Sequence, residues 1–125
     1  MNKIVYIFLL IALFASACRP TPKIEGFNTH AWKADRSGCD GQREQLLPLL
    51  EKSESALENL STTQIVKLLG RPNKEELYRR SQRFFFYDIE GGKACGVVEK
   101  VQYRLRFTAT DHLIEIKKIT TEEKE

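Results

Sequence analysis

From Val97 to Thr108 the chain alternates: Val101, Tyr103, Leu105 and Phe107 point one way, Lys100, Gln102, Arg104 and Arg106 the other. A period of two over that length is the pattern of a strand with one face in a core and the other in water. Two further runs flank it. Arg83 to Ile89 is rich in aromatics and is broken by Gly91-Gly92; Leu113 to Ile119 follows a turn around Thr110-Asp111, with Ile114 and Ile116 expected to face inward. Short connections make the three an antiparallel meander.

Two helices are expected ahead of that sheet. The first starts near Asp40 and runs into the low fifties, with Leu46, Leu47, Leu49 and Leu50 as its apolar stripe and Pro48 kinking it or delaying its start. The second is better signalled. Ser61 is placed to cap it, Gln64 completes a capping box, and Leu60 and Ile65 stand where a hydrophobic staple puts them. Gly70 and Pro72 stop it after Leu68-Leu69. Between Phe27 and Gly38 the sequence reads as irregular and holds Trp32. At 125 residues there is room for one domain. The expectation is a two-layer α+β fold, two helices packed on one face of a three-stranded antiparallel sheet.

The start of the chain bears on its compartment. Met1-Asn2-Lys3 is positive, and Ile4 to Phe14 is an apolar run of eleven, too short for a bilayer core that takes about 20 residues. Its length and flanks fit a secretory signal peptide rather than an uncleaved anchor. Ala15-Ser16-Ala17 before Cys18 reads either as an ordinary signal-peptidase site or as the lipobox of a bacterial lipoprotein, although Ala15 stands where the lipobox usually has Leu. Cleavage that leaves cysteine first, followed by the Pro-spaced polar segment Arg19 to Lys23, favours lipidation. The expected organisation is a signal peptide over 1–17, a lipidated Cys18 with a tether to residue 26, a folded domain over 27–119 and a charged tail over 120–125. Arg19 rather than Asp after the cysteine points to the outer membrane, and the domain would then face the periplasm.

Three cysteines in an exported protein leave one odd thiol. With Cys18 lipidated, Cys39 and Cys95 remain as an even pair in an oxidising compartment, either as a disulfide or as two separate buried thiols. A disulfide would contribute about 4 kcal/mol at best through loop-closure entropy.

Strand register then selects a candidate surface. Putting Phe85, Tyr87 and Ile89 inside sends Asp88 out, whereas the opposite register buries an unpaired carboxylate. Phe84 and Phe86 then lie on the outer face beside Lys100, Gln102, Arg104 and Arg106, an aromatic and arginine-rich composition of the kind enriched at interfaces. The alternative is that the tether or the Phe27–Trp32 loop covers the two rings as ordinary core. Anionic lipid headgroups are a further contact for the basic rows.

The segment Leu60-Ser61-Thr62-Thr63-Gln64-Ile65-Val66-Lys67-Leu68-Leu69-Gly70-Arg71-Pro72 resembles the helix motif of the SmpA/OmlA (BamE-like) family of small outer-membrane lipoproteins. There a Ser/Thr-capped helix ends in Leu-Gly-x-Pro and leads into an aromatic strand, here Phe84–Tyr87, a long alternating strand ending in Phe, here Phe107, and a short last strand. The likeness covers Leu57 to Ile119. It implies a helix-helix-sheet fold and a role in assembly or maintenance of the outer membrane. The Cys39/Cys95 pair and the Trp32–Leu50 segment depart from the family pattern.

Chemistry finds little purchase. There is no Gly-x-Ser-x-Gly, Ser-x-x-Lys, His-Glu-x-x-His or Walker-type loop. Gly91-Gly92-Lys93 has the composition of a hairpin loop, and Cys39, Cys95, His30 and His112 lack the close-spaced pairs of a structural zinc site. Asp35, Asp40 and Asp111 read as turn and cap residues, and the Asn59 sequon overlaps the helix cap. No enzyme, cofactor or metal is expected. A net charge of +3 in an exported chain gives no reason to expect nucleic acid. Two functions of different classes fit: a non-enzymatic envelope lipoprotein acting as a structural or adaptor module toward a protein partner, or a small tethered inhibitor or ligand-binding domain.

Overall fold

The computed structural model of the protein describes residues 2–15 and 20–122. Helix α1 (Asn2–Ala15) is the apolar start of the chain. No helix among the described residues is long and apolar enough to cross a membrane. Cys18 and Arg19 lie outside the described residues.

The helical layer consists of α2 (Thr29–Ala34), α3 (Gln42–Lys52), α4 (Glu54–Leu57) and α5 (Thr62–Leu69). The expected helices are α3 and α5. Two short ones are additional, and α2 falls in the stretch expected to be irregular. Asn28 explains it: its side chain accepts from the Ala31 N–H at 3.0 Å, capping a helix of six residues. In α5 both halves of the capping box form, with the Gln64 N–H donating to Ser61 Oγ at 3.2 Å and the Ser61 N–H to Gln64 Oε1 at 3.0 Å. Gly70 ends that helix at φ 78°, a conformation that costs glycine little. Helix α3 carries through Pro48.

The sheet has four antiparallel strands, not three: β1 (Lys74–Tyr78), β2 (Gln82–Gly91), β3 (Glu99–Phe107) and β4 (Leu113–Glu122), in sequence order. The added strand β1 is exposed along its whole length. At the other edge β4 runs on through Thr120, Thr121 and Glu122, which pair with Val101, Lys100 and Glu99, so the first three residues of the expected tail belong to the sheet; the rest of it lies outside the described residues. The inward placement of Ile114 is also overturned. Arg106 pairs with Glu115 and Phe107 with Leu113, leaving Ile114 as the extra residue of a bulge, 48% exposed. That bulge is what lets Leu113 and Ile116, an odd number of residues apart, both meet the core.

The inner face of the sheet meets the helices. Trp32, Leu50, Leu57, Ile65 and Leu69 are buried against Phe85, Tyr87, Ile89, Tyr103, Leu105 and Phe107. Ile24 is also buried and Phe27 packs against the core, so the folded domain begins inside the expected tether. The charged groups buried with the core among the described residues are Asp35 and Arg43. Asp35 accepts from the backbone N–H groups of Asp40 at 3.0 Å and Arg43 at 3.1 Å. Arg43 Nε donates to the Trp32 carbonyl at 2.9 Å, and its guanidinium stands 5.1 Å from the Trp32 ring centroid.

Cys39 and Cys95 are disulfide-bonded, their Cα atoms 5.2 Å apart. The bond joins the loop before α3 to the turn after β2, which ties the helical layer to the sheet.

Candidate functional site

The six residues expected to share the outer face do share it. Phe84 pairs with Arg106, Phe86 with Arg104 and Asp88 with Gln102, while Lys100 pairs with Gly91 further along. A bulge at Ile89 intervenes between Asp88 and Glu90, yet Ile89 stays in the core and Asp88 stays out, where it accepts from Gln102 Nε2 at 2.9 Å. Phe27 and Trp32 lie on the other side: Trp32 packs on Tyr87, 6.3 Å between ring centroids, so that loop does not cover the outer rings.

What covers Phe84 comes from its own face. Tyr78 of β1 meets it edge-on at 5.3 Å, Phe86 lies 6.3 Å away, and the Arg104 guanidinium sits 4.9 Å from its centroid. Phe84 is therefore 9% exposed rather than open, and Phe86 is half-buried. The strand that supplies Tyr78 also supplies Lys74, which stands 5.6 Å from the Phe86 ring and 2.7 Å from Glu76. The alternation of β3 reveals neither contact, because β1 itself does not alternate.

Electrostatics on this face centre on Glu115. One of its carboxylate oxygens meets Arg104 Nη2 at 3.0 Å and the other meets Arg106 Nη2 at 3.1 Å. That fixes both guanidinium planes along the sheet. It leaves the Nε–H of each arginine shielded from solvent with no acceptor among the described residues. Such donors are uncommon in folded proteins. Chemically, the face offers an aromatic cluster and paired guanidinium edges, which suit recognition by stacking and by carbonyl or carboxylate acceptors.

The remaining residues singled out in the sequence are dispersed. His112 Nδ1 lies 3.3 Å from the Asn59 carbonyl oxygen, and Asp111 accepts from the Thr62 N–H at 2.9 Å, a turn role. The disulfide occupies both Cys39 and Cys95. Among the described residues no cluster of His, Cys, Asp or Glu is placed to hold a metal ion. Comparison of the chain with family models, with curated proteins and with solved structures returns no match.

Proposed function

We propose that the chain is a lipid-anchored lipoprotein of the bacterial cell envelope, of the SmpA/OmlA kind, acting without catalysis as an adaptor in the assembly or maintenance of the outer membrane. It docks a protein partner through the outer face of its sheet. The observation that carries this reading is an outer face on which the half-buried Phe86 ring lies beside Phe84 and the partly exposed guanidinium groups of Arg104 and Arg106. A partner presenting carboxylate or carbonyl oxygens at that face meets the exposed edges of the two guanidinium groups and covers Phe86. The capped α5 ending at Gly70, with Pro72 two residues on, and the two-layer α+β architecture support the family reading. The lipid anchor rests on Cys18 and its flanking residues. More than one acyl chain, as such lipoproteins carry, gives stable anchoring.

Crosslinking from the outer face in living cells tests the docking. Phe86→Ser with Arg106→Gln is expected to lose the crosslinked partner while keeping the wild-type melting temperature to within a few degrees. Retained crosslinks in that double variant count against docking at this face. Labelled palmitate is expected to enter the wild type and not Cys18→Ala; equal labelling of the two removes the anchor.

A further inference from the structure

Away from the outer face, a cavity of about 370 Å³ opens between the end of α2, the start of α3 and the end of α5. Its lining includes Lys33, Arg36, Arg43 and Arg71, together with Leu69 and Gly70, and no carboxylate. Backbone carbonyls hold Lys33, Arg36 and Arg43 in place. Lys33 Nζ donates to the Lys67 carbonyl at 2.8 Å, at the C-terminal end of α5. Arg36 donates from Nη1 to the Arg71 carbonyl at 2.7 Å and from Nη2 to the Pro72 carbonyl at 3.1 Å. Carbonyl oxygens orient a cation without cancelling its charge.

Arg43 forms the floor. It is 1% exposed, and its Nη1 donates to Asn73 Oδ1 at 2.9 Å and to the Asp88 carbonyl at 3.0 Å. The exposed side chain of Arg71 lines the same opening. Asp35 lies behind the floor, with both carboxylate oxygens taken by backbone N–H groups at the start of α3. Burial and the charge of Arg36 push the Arg43 pKa down, against the pull of Asp35 and Asp88. A cation held that way gains from an anion in front of it.

We propose that this cavity binds a phosphate group, its oxygens held among the cationic side chains of Lys33, Arg36, Arg43 and Arg71 that line it. A tetrahedral phosphate can meet donors arriving from several directions at once, and arginine forks match its oxygens. The volume is that of a small-ligand site. The phosphate can come free in solution or on a lipid.

The test uses the full chain in non-ionic detergent at fixed ionic strength, titrated with inorganic phosphate, with pyrophosphate, and with phosphatidic acid in the micelles. Amide shifts at Lys33, Gly70 and Arg71 are followed. Saturable shifts are expected, and Lys33→Gln or Arg71→Gln each weakens binding about tenfold, the loss of one charge-assisted contact. Gln can still donate to the Lys67 carbonyl, and an unchanged melting temperature checks that these variants fold. Response to free pyrophosphate makes the ligand soluble, and response only to phosphatidic acid makes it a lipid phosphate. Absence of saturable shifts with all three probes, or equal binding by the Lys33→Gln/Arg71→Gln double variant, overturns the proposal.

Discussion

Asn73 Oδ1 accepts from two donors at once, Arg43 Nη1 and the Asp88 N–H, each at 2.9 Å. Its Nδ2 donates to the Arg36 carbonyl at 2.6 Å. One side chain in the α5–β1 connection thus joins the loop before α3, the buried guanidinium and the second strand of the sheet. Asn73→Ala leaves a buried guanidinium N–H and a backbone N–H unmet, each costing about 1–3 kcal/mol. The expected outcome is a loss of at least about 2 kcal/mol in urea unfolding. A loss below about 0.5 kcal/mol means that Arg43 finds another acceptor.

Gly91 sits against the disulfide. A Cβ at this position would collide with Cys95 Sγ and the Ser37 carbonyl oxygen and lie 3.4 Å from Cys39 Sγ. Gly91→Ala is therefore expected to destabilise by about 1–3 kcal/mol, the usual cost of overpacking. Reducing Cys39–Cys95, 56 positions apart, should cost about 4 kcal/mol by loop-closure entropy. Thermal melts with and without reductant measure both. Two free thiols in protein isolated from its native cells without reductant, seen by non-reducing mass spectrometry, refute the pairing.

The bulge at Ile114 separates two isoleucines that sequence alternation treats alike. Ile114 is 48% exposed, whereas Ile116 packs against the core opposite Leu105. Ile114→Ser is expected to fall within about 0.5 kcal/mol of wild type. Ile116→Ser should cost about 1–2 kcal/mol, since it loses partly buried apolar area. Equal costs would mean that the bulge does not form in solution.

These cases show which parts of the fold could be read in advance. Helix α5 is legible because its cap, staple positions and stop all lie within a dozen residues. The outer face is legible because alternation and the charge of Asp88 point to one register. Strand β1 is not: Lys74-Glu75-Glu76-Leu77-Tyr78 has no alternation. The tight turn after it places Arg80 and Ser81 at φ 60°, without the glycine or asparagine that usually marks such a turn. Bulges add a residue without changing composition, which hides Ile114. The cationic cavity collects residues from 33 to 71, and no local pattern links them.

Glu90 supplies a pH dependence of definite sign. Its carboxyl pKa is raised, first by burial, then by the hydrogen bond and charge of Glu44 and by the charge of Glu99, with Lys118 opposing. A carboxyl whose pKa is higher folded than unfolded binds its proton more tightly in the native state. Its contribution to stability is therefore full below the unfolded value of about 4.3 and is lost as pH rises through the folded value. At pH 7 the ionised Glu90 works against the fold beside Glu44 and Glu99. Glu90→Gln keeps the shape and removes that charge. The variant should unfold at a higher urea concentration than wild type at pH 7, and the two curves should converge below about pH 4. A Gln variant less stable than wild type at pH 7 would mean that Lys118 outweighs the two neighbouring carboxylates.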